Sequence, residues 1–104
     1  MNTLSALVRH SAFALAYRVC EPAPAKPTAL LVLLHGLGGN ETNLAMLAAT
    51  ASAGTLVVLP RGPLELGPGQ HTWFRVVFTA NGPQIDAAQA EASRMALVDF
   101  VEQL

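Results

Sequence analysis

Five consecutive apolar residues, Leu30-Leu31-Val32-Leu33-Leu34, run directly into a glycine-rich turn, His35-Gly36-Leu37-Gly38-Gly39-Asn40. The run has the length of a strand and no polar face, which suits a strand covered on both sides, as in a parallel sheet. A helical pattern follows over residues 41–52, with Leu44, Leu47, Ala48 and Ala51 on one face. Asn40 or Thr42 is placed to cap it and Gly54 to close it. Residues 55–59 form a second buried-type run that Pro60 stops. The two runs are expected to be neighbouring parallel strands, since the roughly twenty residues between them suffice for a right-handed crossover.

The remaining segments complete an α/β pattern. Residues 4–9 and 12–19 read as an antiparallel pair turned around His10-Ser11, with Phe13, Leu15, Tyr17 and Val19 on one face. Pro22, Pro24 and Pro27 make the next stretch a connection. Residues 61–70 read as loop, and residues 71–78, holding Trp73 and Phe74, as extended chain. Asn81-Gly82-Pro83 is expected to start a last helix over 84–104, with Ile85, Ala88, Ala92 and Ala96 on a shared face. The expected architecture is one domain over residues 1–104: an N-terminal antiparallel strand pair followed by parallel strands with helices.

Composition narrows the function. Only 12% of residues are charged, 52% are apolar, and the net charge is −1. Disordered chains are poor in apolar residues, and nucleic-acid binders need a basic surplus, so neither class fits. No segment approaches the roughly 18 apolar residues of a membrane span. Ser11 to Ala16 imitates a cleavage site, but Arg9 follows the short apolar piece instead of preceding it, so the expected compartment is the cytoplasm. The single cysteine, Cys20, leans towards a reducing compartment. A chain this short buries only about two-thirds of its unfolded surface. So apolar a composition implies apolar surface that faces a further partner.

Three kinds of site use a glycine-rich turn after a buried strand. A P-loop needs a lysine after its last glycine, and none follows Gly39. A dinucleotide fingerprint needs a third glycine where Glu41 stands, a negative charge in the place of a pyrophosphate. An oxyanion-hole loop needs His-Gly followed by small residues, which is what the chain has. Glycines there let the backbone turn sharply enough to aim an N–H at a developing oxyanion.

At this point the chain resembles a known family. Leu31 to Asn43 (LVLLHGLGGNETN), Leu59-Pro60-Arg61-Gly62-Pro63 and Trp73-Phe74 are similar to the N-terminal half of the carboxylesterase/phospholipase family of α/β-hydrolases. The resemblance covers most of the chain from about Phe13 onward. It implies a partial α/β-hydrolase fold and a small-molecule carboxylic ester as substrate, with no cofactor. It also implies that Leu37 supplies an oxyanion N–H, with His35, Gly36, Gly38 and Trp73 around the substrate. The chain departs from the family in its nucleophile. Its serines are Ser5, Ser11, Ser52 and Ser93, and none sits in Gly-x-Ser-x-Gly. Asp86 and Asp99 come too early to be the triad acid. The expectation is therefore a chain that ends before the nucleophile elbow and is inactive alone.

Blander roles stand beside these. His35 is expected to brace the loop, His10 and His71 to be solvated, Arg61 to hold carbonyls, Cys20 to be an inert small hydrophobe, and the Ala-rich final helix to be packing surface. Histidine spacing and the lone cysteine offer no metal site. The rival functional class is a non-catalytic binding or interaction module, or half of a split assembly. A nucleotide-binding domain ranks third. Strand 30–34, apolar and without charge or proline, is expected to have one unpaired side and to self-associate.

Overall fold

The computed structural model describes residues 3–104. Its centre is strand β4 (Thr55–Pro60), because every residue from Leu56 to Leu59 is apolar and can be covered on both faces. One edge of β4 pairs in parallel with β3 (Ala29–Val32), from Ala29 opposite Thr55 to Val32 opposite Val58. The other edge pairs antiparallel with β2 (Tyr17–Glu21), and β1 (Thr3–Leu4) adds beyond β2. The order is β1-β2-β4-β3, so among the described residues β3 has one open edge. The Leu33 N–H donates to Val58 O at 3.0 Å and carries the parallel ladder one residue past β3.

Side chains alternate across β4. Val58 enters a cluster with Leu15, Trp73 and Phe100, flanked by Leu56, Phe13, Tyr17 and Phe74. Val57 and Leu59 enter a second cluster with Ala48, flanked by Leu4, Cys20 and Leu33. Each fully buried Val or Leu contributes about 1.5–3 kcal/mol, so this strand is where most of the apolar stabilisation converges.

Past β4 the chain makes two separate hairpins and a helix. β5 (Leu64–Gly67) pairs with β6 (Gln70–Thr72), and β7 (Val76–Thr79) with β8 (Gly82–Ile85), both antiparallel. α2 (Ala87–Gln103) closes the chain, buries Ser93 and Phe100, and sets Ala96 and Leu97 against the first cluster.

This corrects the expected fold class. The structure is not a parallel-strand α/β arrangement but a set of small, mostly antiparallel sheets with one long helix, and its one mixed sheet has four strands. The single parallel pair, β3 with β4, is present. The crossover helix expected over 41–52 shrinks to one turn, α1 (Ala45–Ala48), whose cap position Leu44 offers no side-chain hydrogen bond. The reason is local competition. Asn40 Oδ1 accepts from the Thr42 N–H and Asn43 Oδ1 from the Asn40 N–H, both at 2.9 Å, and such bonds hold the backbone in turns.

The helix expected from residue 84 begins only at Ala87. The segment is a hairpin instead: Ala80-Asn81 forms the turn, and Thr79 lies opposite Gly82, whose φ of +98° favours glycine. The preceding Val76-Val77-Phe78 is strand-forming, so turn chemistry and propensity agree. Ile85 therefore sits in β8, 55% exposed, and Ala88 and Ala92 are exposed as well. The buried helix face is Ser93, Ala96, Leu97 and Phe100, at the spacing of one helical stripe. The expected loop over 61–70 holds β5 and the start of β6. The N-terminal antiparallel pair exists, but residues 11–15 are turn and bend, and the pairing runs from Thr3 opposite Glu21 to a bridge between Val8 and Tyr17.

Asp86 caps α2 by accepting from the Gln89 N–H at 3.0 Å. Removing that acceptor in Asp86→Ala should cost about 1 kcal/mol. For a domain of this size the melting temperature should fall by roughly 4–8 °C, read by circular dichroism.

Candidate functional site

The glycine-rich turn is tied down by its neighbours in the fold. Gly38 N–H donates to His71 O at 3.0 Å, and His71 N–H to Gly39 O at 2.7 Å, which joins the turn to β6. Gly38 takes a φ of +76°, a conformation that side chains disfavour.

His35 is 4% exposed and locks three segments together. Its Nε2 accepts from the Gly62 N–H at 2.9 Å, so the ring proton lies on Nδ1, which donates to Gly36 O at 2.7 Å. The His35 carbonyl accepts from Trp73 Nε1–H at 2.9 Å, and the two rings sit 5.2 Å apart. Both imidazole nitrogens are therefore engaged, and neither is free to take a proton from a nucleophile. Gly62 has to be glycine for reasons of space: a Cβ there would stand 2.7 Å from Thr72 O.

Glu41, directly after the turn, is 1% exposed. Arg61 Nε donates to its two carboxylate oxygens at 2.9 and 3.2 Å, and Arg61 Nη2 makes a further short contact. Arg18 Nε reaches the same carboxylate at 3.4 Å, while Arg18 Nη1 donates to Ser5 O. Burial alone would raise the Glu41 carboxyl. The Arg61 hydrogen bonds, its own backbone N–H and the two guanidinium charges outweigh burial and hold it below the ordinary carboxylate range.

A groove of about 720 Å³ has walls that are mostly apolar. Leu37, Gly38, Leu66, Phe74, Val76 and Ile85 are among the residues that line it. The size lies within the range of small-molecule sites. Leu37, the expected oxyanion donor, thus stands on the groove wall, 51% exposed. Among the described residues no acceptor takes its N–H. Gly38 lines the same groove, while Gly36 is exposed with open space around its Cα. Trp73 lies in the core cluster and not among the groove residues.

Thr72 is the groove's one alcohol, and its Oγ1 donates to Phe74 O at 2.8 Å. Ser93 is buried in α2 and donates to Trp73 O. His10 is exposed. His71, expected to be solvated, is 7% exposed, because β6 carries it under the glycine turn. Burial, then the nearby Arg61 charge, pull its imidazole below the ordinary value. Arg61 grips a carboxylate where carbonyls were expected. Glu41 was not foreseen as a site residue; it stands in the polar run Asn40-Glu41-Thr42-Asn43, where nothing local marks it for burial. No group of metal-ligating side chains occurs among the described residues.

No protein-family model, curated protein or solved structure matches the chain. Among the described residues no helix is long and apolar enough to cross a membrane.

The two shifted groups of the site make the fold acid-sensitive in the same direction. A depressed folded pKa adds stability that is complete above the unfolded value and is lost as pH falls through the folded one. Loss should begin below 6.5, where unfolded His71 takes up a proton, and deepen below 4.5, where unfolded Glu41 does. Glu41→Gln should remove the lower step. It should also cost about 3 kcal/mol at neutral pH, the low end for a broken buried pair because both guanidiniums reach solvent. Urea unfolding between pH 3 and 8 reads both effects.

Proposed function

We propose that this chain binds the acyl part of a small carboxylic ester, as the oxyanion-side portion of a serine-hydrolase-type carboxylesterase that lacks its nucleophile. The observation that carries this is that Leu37, whose N–H no acceptor takes among the described residues, lines an apolar groove of ligand size. The resemblance of His35-Gly36-Leu37-Gly38-Gly39 to the loop of carboxylesterases and phospholipases supports the same assignment; the fold class does not enter it. A backbone N–H beside an acyl-sized apolar wall is the donor that an ester carbonyl requires.

No residue of the groove supplies a nucleophile. Thr72 Oγ1 is hydrogen-bonded to a carbonyl, Ser93 lies in the helix, and both nitrogens of His35 are engaged. Ester therefore binds without turnover. That absence also favours the second reading, a non-catalytic acyl-binding module. The two differ in whether the carbonyl is recognised or only the chain. With a single cysteine, which leans towards a reducing compartment, we place the protein in the cytoplasm.

The chain should hydrolyse p-nitrophenyl acetate no faster than buffer. Methyl octanoate should bind saturably by calorimetry, and Leu37→Pro, which removes the N–H, should weaken it about fivefold, the worth of one hydrogen bond. Octyl methyl ether, without a carbonyl, should be insensitive to the same change. Equal losses for ester and ether would favour the plain acyl-binding module. Saturable hydrolysis by the wild-type chain would refute the missing nucleophile.

A further inference from the structure

We infer that the open edge of β3 is a self-pairing surface, on which two copies of the chain join antiparallel through residues 30–34 about a twofold axis at Val32. Leu33 sends its N–H to Val58 across the parallel pair. The alternation of a strand then turns the N–H and C=O groups of Leu30, Val32 and Leu34 away from β4, to the side where no strand pairs among the described residues. A row of unmet donors and acceptors is satisfied by another extended backbone, which fixes the partner as a strand.

The residues select which strand. Leu30-Leu31-Val32-Leu33-Leu34 is the same read in either direction. An antiparallel copy in full overlap sets Leu30 opposite Leu34, Leu31 opposite Leu33, and Val32 opposite itself. In that register the outward-facing residues oppose one another and form the hydrogen-bonded pairs, Val32 exchanging two bonds with its own copy. A slip of one residue would set outward groups against inward ones and lose the ladder. Such an interface is isologous, as a twofold dimer requires.

The usual guards of an edge are missing. No charge or proline lies between Thr28 and Leu34, so nothing repels across the axis. Leu30, Leu31 and Leu34 are 44%, 37% and 47% exposed, and opposed leucines would cover one another. The four-stranded sheet would continue through β3 into the β3 of the copy. This inference does not depend on the ester reading.

Sedimentation of the full chain should give twice the 10.9 kDa monomer mass. In Val32→Pro the lost N–H is the outward one, a position where an edge strand tolerates proline. That variant should keep its far-ultraviolet circular dichroism and weaken the dimer at least about tenfold, since two exchanged bonds are removed. Register is read with Leu31→Cys and Leu33→Cys, each in a Cys20→Ser background. Opposed Cα atoms in a non-hydrogen-bonded pair lie about 4.5 Å apart, within disulfide reach. An oxidised mixture of the two should cross-link, and neither should alone. A monomer at high concentration, or a dimer indifferent to Val32→Pro, would overturn the inference. Should the proline variant unfold, the mixed cysteine pair decides, and its failure to cross-link overturns it.

Discussion

The Glu41 carboxylate is the interaction on which the rest of the structure depends. It is the most deeply buried charge in the chain, and it draws in Arg61 after β4, Arg18 in β2 and, through Arg18, the backbone at Ser5. The cluster therefore joins the glycine turn to the two central strands of the sheet. Without it the turn would be anchored through His35, β6 and the Asn40 bond to Gly69 O. A buried ion pair is weak evidence of stability, since a well-packed apolar group of the same volume often does as well. What it supplies here is placement: holding Glu41 against Arg61 and Arg18 fixes where the glycine turn ends.

His35 is a second anchor of a different kind, neutral and fully hydrogen-bonded, linking Gly62 and Trp73 to the end of the β3 segment. Between them the two anchors leave the backbone at Leu37 unengaged while holding both sides of it. A preformed donor of that kind loses little entropy when it meets an acceptor. The groove wall beside it is built differently, from exposed hairpin residues such as Val77 and Phe78.

How much could be read from the residues follows from the range of each interaction. The parallel pairing of β3 with β4 was legible because both are unbroken apolar runs. The glycine turn and the bracing role of His35 were legible because composition and spacing decide them. Residues 71–78 read as extended, and β7 is so; the β8 half was misread as helix, because Asn81-Gly82-Pro83 starts helices as well as turns. The helix at 41–52 was overextended because periodicity ignores the Asn40 and Asn43 side chains, which bond locally and stop it. Glu41 with Arg18 and Arg61 was out of reach, since partners some twenty residues away on either side meet only when the sheet forms.

The β7–β8 hairpin forms a sheet of its own, outside the four-stranded one. It is held at its base, where Asp86 N–H donates to Arg75 O and Arg75 N–H to Gln89 Oε1. A two-stranded ribbon in water is only marginally stable. The β7–β8 part of the groove lining therefore opens more cheaply than the core strand β4. Whatever occupies the groove has to select the closed ribbon from an ensemble that includes open forms. Its observed affinity is then the intrinsic affinity scaled by the closed fraction, so a ligand tightens through anything that steadies Arg75 against α2 as much as through new contacts of its own.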